Sequence, residues 1–389
     1  MRIGIDCRMY STRFTGIGRY VYELTKNLFE IDRENEYFLF FNNPEHSKFS
    51  PPKSAANRVH KILVNAPHYS IQEQTKFLSL LNKHKLDLMH FTHFNAPILY
   101  KKPSIVTIHD LTLSFFPGKK MTSFLHRAGY HITIKSAVNN AKRVIAVSNN
   151  TKKDLQDILK IPDEKIDVIY EGVDQSFSQL SESQLTSVDN AESDRSKPDN
   201  MQITKPFLLY TGVWRSHKNL QNLIKAFHIL KTEYNFQGSL VITGRPDPVY
   251  SKEVMGETLS LKLENDVVFT GMVSEDKLIQ LYNQAEVYVF PSLYEGFGLS
   301  PLEAMQCGTP VAASNASCIP EVCGEENALF FDPRNPRDMA EKVFRILSEK
   351  SLKEELVKNG LEHVKKFSWE KMAKDTFKVY NSVLKTDYK

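Results

Sequence analysis

The chain has 389 residues, 41% of them hydrophobic and 25% charged, with four cysteines and a formal net charge of +4. This fits two ordinary globular domains; it excludes a disordered polymer, and the cysteines are too few for a disulfide scaffold. By count, about +8 lies in residues 1–174 and about −4 in the remainder, and no basic stripe alternates with aromatics as a nucleic-acid surface requires.

The first predicted strand is Arg2-Ile3-Gly4-Ile5-Asp6, followed by a Gly-containing loop and helical periodicity over 20–29. Further strands are predicted at 37–41, 59–64, 86–91, 104–108, 144–147 and 166–169, with helices at 71–84 and 124–140 among them. Short apolar strands alternating with helices predict a parallel sheet covered on both faces. Residues 176–205 are mostly Ser, Gln, Asp, Asn, Glu and Thr, and read as a polar linker or loop. The pattern restarts at Phe207-Leu208-Leu209-Tyr210-Thr211-Gly212, with a helix at 219–233 and strands at 239–243, 267–270, 287–290 and 310–313. Residues 336–389 read as helical, broken at Phe367-Ser368-Trp369. The expected class is α/β with two Rossmann-like domains: 1–175, then the linker 176–205, then 206–369.

The most informative stretch is Phe290-Pro291-Ser292-Leu293-Tyr294-Glu295-Gly296-Phe297-Gly298-Leu299-Ser300-Pro301-Leu302-Glu303-Ala304-Met305. Ser300-Pro301 reads as an N-cap and first helical position, so a strand, a Gly-bearing loop and a helix N-terminus follow one another. Such a junction offers unpaired N–H groups and a positive dipole end to an anion, and Gly296 and Gly298 allow close backbone approach. Glu295 and Glu303 flank that site. Ser300-x-x-Glu303 is also a capping-box pattern, so a purely structural reading of Glu303 stays open.

Arg215, His217 and Lys218 precede the predicted helix at 219–233, where cations oppose the macrodipole unless a bound diphosphate reverses the sign. Gly16-Ile17-Gly18 is a weak dinucleotide fingerprint, because Val21 takes the place of the third glycine. His109-Asp110 follows the strand 104–108, where ligands of open parallel sheets bind, although a lone histidine is also a common structural residue. His90 and His93 lack carboxylate or Cys partners for a metal, and the chain has no Asp-x-Asp, so no metal is expected. Arg2, Asp6 and Arg8 interrupt the apolar run that an export signal needs. Cys7, Cys307, Cys318 and Cys323 lack paired CxxC spacing, and a reducing cytoplasm is the expected location.

Taken together, these segments resemble the family-4 retaining glycosyltransferases of the GT-B fold, along essentially the whole chain. The match rests on Glu295-x7-Glu303 in its loop, on Cys307-Gly308-Thr309-Pro310-Val311 and on Ile319-Pro320-Glu321-Val322. Gly16-Ile17-Gly18-Arg19-Tyr20, His109-Asp110 and Val147-Ser148 also agree. The resemblance implies two Rossmann-like domains facing across a cleft, with a last helix, about 370–389, crossing back to complete the first domain.

It also implies roles. Glu303 would bond the donor's ribose, and the Gly298 and Leu299 backbone would meet the diphosphate. Glu295, Gly296 and Phe297 would contact the transferred sugar, and His109 its far hydroxyl. Arg215 and Lys218 would clamp the diphosphate, and the Gly16–Gly18 loop would close over it. His217 and Glu171 depart from the common pattern, the latter standing where Asn is frequent.

The resemblance implies a metal-independent hexosyl transfer with retention and no cofactor beyond the nucleotide sugar. Bacterial polysaccharide mannosyltransferases look most similar, which points to GDP-mannose and to a saccharide or polyprenyl-diphosphate-linked acceptor. The basic first half, with the stretch 113–125, suits a phosphate-bearing acceptor or peripheral contact with the cytoplasmic membrane, or it is ordinary solvated surface. Alternatives are a UDP-sugar-dependent hexosyl or N-acetylhexosaminyl transferase, a nucleotide-sugar epimerase, and a non-catalytic nucleotide-sugar-binding subunit.

Overall fold

The computed structural model describes residues 1–11, 16–43, 45–118, 124–185 and 203–386. Of the features read above, part of the stretch 113–125, residues 186–202 of the polar stretch and residues 387–389 of the last helix lie outside the described residues. The apolar runs form strands: β1 Arg2–Asp6, β2 Glu36–Phe41, β3 Val59–Leu63, β4 Leu88–Phe91, β5 Ser104–Ile108, β6 Arg143–Ala146 and β7 Ile166–Val168. The second series is β8 Phe207–Thr211, β9 Ser239–Thr243, β10 Val267–Gly271, β11 Val287–Phe290, β12 Val311–Ser314 and β13 Leu329–Phe331. They build one sheet ordered β3-β2-β1-β4-β5-β6-β7 and another ordered β10-β9-β8-β11-β12-β13. Every described pairing is parallel. β13 was not expected; its three residues at a sheet edge are too few for a periodic signal.

The chain divides into two compact units, one of Met1–Gly172 with Phe367–Lys389, the other of Val173–Lys366. Each has its own core, because helices shield both faces of each sheet and leave strands such as β5, β8 and β9 wholly buried. Residues 176–185, at the start of the polar stretch, are held on the helix Glu275–Gln284: the Leu180 N–H donates to Asn283 Oδ1 at 2.8 Å, and Gln280 Nε2 donates to the Gln184 carbonyl at 2.9 Å.

In the first unit the helix Gly16–Ile31 begins four residues earlier than the periodicity suggested. Gly16 and Gly18 therefore lie in a helical first turn and not in a free loop. A Cβ on Gly18 would stand 3.1 Å from Ser11 Cβ and 3.2 Å from the Met9 carbonyl, so glycine lets this turn pack on the chain after β1. The same helix packs on Trp369–Thr386, and a buried polar chain runs beneath both. His90 Nδ1 meets the Tyr380 hydroxyl at 2.6 Å and Nε2 the Thr107 hydroxyl at 2.8 Å, which in turn lies 3.0 Å from the Tyr20 hydroxyl. Behind β1, Arg8 is fully enclosed: Asp6, Glu73 and the Asn95 carbonyl accept its protons, and the guanidinium lies 4.0 Å from the Phe77 ring centre.

Two predictions follow from this packing. A Cβ at Gly172 would sit 2.2 Å from the Trp369 backbone nitrogen, an atom that cannot swing aside. Gly172→Ala should cost about 1–3 kcal/mol, read as a lowered midpoint in thermal unfolding, and an unchanged midpoint would contradict the geometry. Burial first, and then the charge on His109, hold the His90 imidazole down at about 3 against an ordinary 6.5. Through that window the unfolded chain binds a proton that the native chain refuses, so stability drops as pH falls and this contribution is absent above it. His90→Gln should lower stability at neutral pH by removing the ring's hydrogen bonds, yet flatten the acid loss. Parallel pH curves for the two proteins would exclude His90 as a cause.

Candidate functional site

In each sheet the strand order reverses once, at β1/β4 and at β8/β11, and ligands of open parallel sheets bind at the carboxyl ends beside such a reversal. In the second unit the loops after β8 and β11 meet there. Residues 216–218 form a 3-10 turn, and Asn219 takes a left-handed φ of 62° before the helix Leu220–Thr232. Asn219 Nδ2 donates to the carbonyls of Pro291 (3.0 Å) and Pro333 (2.7 Å), and the Leu293 N–H donates to the His217 carbonyl at 2.8 Å. The two loops are thus one assembly.

Across that assembly Lys218 Nζ pairs with Glu295 Oε1 at 2.5 Å, with side chains 18% and 12% exposed. The ammonium also stands 5.9 Å from the Phe290 ring centre. Arg215, three residues earlier, is exposed and has no ion-pair partner among the described residues. The backbone of Glu295 and Phe297 is clamped from behind. The Ser317 hydroxyl donates to the Glu295 carbonyl at 2.7 Å, and the Cys318 thiol lies 3.2 Å from the carbonyls of both residues. Burial pushes that thiol well above its ordinary range, so it acts as a neutral donor.

The following helix is Leu299–Gln306, and its N-cap is Gly298 at φ 93°, with no side-chain cap. This corrects the expectation that Ser300 caps the helix and Pro301 opens it: the helix starts one residue before Ser300. The capping-box reading of Glu303 falls with it. Glu303 Oε2 instead accepts from the Tyr282 hydroxyl at 3.1 Å. The Thr211 hydroxyl links Tyr282 (2.8 Å) and Tyr288 (3.1 Å), and both rings are fully buried. The expected donor-side residues Lys218, Arg215, Glu295, Gly296, Phe297, Gly298, Leu299 and Glu303 therefore share one strand edge. Sequence reading missed Thr211, Tyr282, Ser317 and Cys318; Ser317 and Cys318 reach the loop from after β12, while Tyr282 reaches Glu303 and Thr211 reaches Tyr282.

In the first unit His109 follows β5 and is 8% exposed. Both ring nitrogens are engaged: Nε2 with the Thr92 carbonyl and Nδ1 with Glu171 Oε1, each at 3.0 Å. The Tyr20 ring stands edge-on at 4.7 Å, and the His93 ring lies nearly parallel at 6.5 Å. Gly16 and Gly18 belong to the helix that carries Tyr20, so this end of the unit brings three of the expected positions to one neighbourhood. Glu171 was noted in the sequence only as a departure from a pattern. Among the described residues no group of three or more His, Cys, Asp or Glu side chains is arranged to hold a metal ion, and no helix is long and apolar enough to cross a membrane.

Known proteins agree with this architecture. Residues 14–177 match the model of glycosyltransferase family 4, and 192–363 match that of the group 1 glycosyl transferases. An uncharacterized glycosyltransferase of Methanocaldococcus jannaschii is 30% identical over 334 residues, covering 82% of either chain. The O-antigen chain mannosyltransferase B of Escherichia coli is 25% identical over 385 residues, covering 94% of this chain and 96% of its own. Among solved structures, sucrose-phosphate synthase from Thermosynechococcus elongatus superposes with a TM-score of 0.77 at 21% identity, over 99% of each chain. The chain belongs to the family-4 glycosyltransferases of the GT-B fold.

Proposed function

We propose that this glycosyltransferase moves a hexose, with mannose from GDP-mannose as the first candidate, onto a hydroxyl of a saccharide or polyprenyl-diphosphate-linked acceptor, retaining the anomeric configuration. The observation that carries the reading is the Lys218–Glu295 pair beside the uncapped helix start at Gly298, on the β8/β11 reversal. A diphosphate there meets Lys218, Arg215 and the free N–H groups of residues 299–301's turn, apart from Pro301, which has none. In this reading Glu303, steadied by Tyr282, bonds a ribose hydroxyl, and Glu295 with the Gly296-Phe297 backbone contacts the sugar. In the first unit, His109 is the expected sugar contact, next to the first helical turn at Gly16 and Gly18. Similarity to an O-antigen mannosyltransferase supports the choice of mannose and of cell-surface polysaccharide as the product class.

The costly step is departure of the diphosphate, as negative charge gathers on the leaving oxygen. In this reading Lys218, Arg215 and the helix N-terminus stabilise that charge, the task a divalent metal performs elsewhere. The acceptor oxygen forms its bond to the anomeric carbon on the face from which the phosphate oxygen departs, and a phosphate oxygen takes the acceptor's proton. No side chain is assigned as a covalent nucleophile. The excess positive charge of residues 1–174 suits an anionic acceptor or a peripheral contact with the cytoplasmic face of the membrane.

Thermal unfolding with GDP, UDP, ADP and their sugar conjugates, with and without EDTA, tests the donor site. At a hundredfold excess over Kd, binding should add about 2.7 kcal/mol of apparent stability. A shift with GDP-mannose that survives EDTA is expected; a UDP-specific shift would replace the donor, and a shift abolished by EDTA would defeat metal independence. Lys218→Ala should cut kcat by about 10²–10³-fold, the scale on which a preorganised charge-stabilising group acts. Near-normal turnover in that variant would remove Lys218 from the mechanism.

A further inference from the structure

We propose that Glu171 is the positioning residue for His109, fixing the imidazole at the carboxyl end of β5 in its doubly protonated, charged form. The inference rests on the reading of His109 as a substrate-side group of the transfer reaction. His109 and Glu171 are 8% and 5% exposed. The Thr92 carbonyl, 3.0 Å from Nε2, can only accept, so Nε2 carries a hydrogen. Nδ1 lies 3.0 Å from Glu171 Oε1. A neutral ring beside an ionised carboxylate would set lone pair against lone pair at that distance. One proton therefore lies between them, and in this proposal Nδ1 holds it. The result is a buried imidazolium–carboxylate pair of zero net charge, the state in which a buried carboxylate is tolerated. Among the described residues no other carboxylate lies within ion-pair distance of this ring.

The choice of acid at 171 has a consequence that geometry alone would hide. A side-chain amide in its place would donate from its NH₂ to Nδ1, leaving both of the ring's contacts in place with the ring neutral. Position 171 thus sets the charge of His109 without moving it. The carboxylate is carried on fixed backbone, since Gly172 is pressed against the Trp369 amide. A cation already oriented at the strand end needs no rearrangement when charge develops on a ligand there, and such preorganisation acts on turnover more than on ground-state binding.

The test compares the full chain with Glu171→Gln, Glu171→Asp and His109→Ala. Nitrogen-15 NMR of the His109 ring, assigned by its loss in His109→Ala, is recorded at neutral pH, and kcat and KM are measured with GDP-mannose and with UDP-glucose as second donor. Both wild-type ring nitrogens should show the protonated signature. In Glu171→Gln, Nδ1 should show the unprotonated one, with kcat lowered about tenfold and donor KM little changed. Glu171→Asp should restore the charged signature and part of kcat. A bare nitrogen in the wild-type ring, or a Glu171→Gln variant with unaltered ring signals or unaltered kcat, overturns the proposal. Full activity in His109→Ala would instead defeat the underlying reading of His109; an impaired His109→Ala beside a fully active Glu171→Gln leaves that reading standing and removes Glu171.

Discussion

Parallel strand direction is the constraint on which everything functional in this chain depends. When every strand of a sheet runs the same way, all carboxyl ends lie along one edge, and residues far apart in sequence are delivered there together. In the second unit that edge is stripped to backbone. Gly212, Gly244 and Gly271 follow β8 and β9 and end β10, with φ of 142°, 118° and 71°. A Cβ on Gly244 would stand 2.0 Å from the Gly212 carbonyl, so the strand ends approach more closely than side chains permit. The loops after β8 and β11 then lie side by side, and Asn219 locks them by donating to the carbonyls of Pro291 after β11 and Pro333 after β13.

Charge on these edges divides into two kinds, distinguished by how far each group is satisfied. Arg8 is wholly enclosed, with Asp6 on Nε and Nη2, the Asn95 carbonyl also on Nη2, and Glu73 on Nη1. Removing one acid partner from such a cluster costs about 3–5 kcal/mol, and the group has nothing left to offer a ligand. Lys218 is different. It has one carboxylate partner among the described residues, keeps part of its surface open, and has Arg215, without an ion-pair partner among those residues, three residues away. An incoming diphosphate would compete with Glu295 for this ammonium. A structural cation and one with capacity left for a ligand are told apart by saturation, not by residue type.

The alternation of strand and helix was legible in the sequence because buried parallel strands are short, continuous apolar runs, and the candidate donor loop because two glycines and two acids fall within one strand–loop–helix junction. What escaped was set by contacts between distant segments. The helix at Gly16 starts earlier than its periodicity, since glycines carry no apolar signal even where close packing needs them. The Ser300-Pro301 cap signal was displaced by Gly298, whose left-handed φ ends the loop sooner than a serine could. Tyr282 bonds Glu303 from a helix end and is itself bonded by Thr211 at a strand end, and no local pattern marks either as a partner.

Glu171 and Gly172 carry this logic to the place where the chain leaves the first unit. The two are consecutive, and each is held by a different long-range contact: the carboxylate by His109 on β5's end, the glycine by the amide of Trp369, where the final helix begins. That helix contributes Tyr380 to the buried chain through His90 and Thr107 to Tyr20, and Tyr20 lies edge-on to His109. His109 is therefore braced from both sides by elements that close the unit, one from residue 171 and one from residue 380. A site residue fixed in this way inherits its precision from the completion of the first unit by the chain's last helix. Packing changes along Trp369–Thr386 thus bear on the position of a ring they never touch.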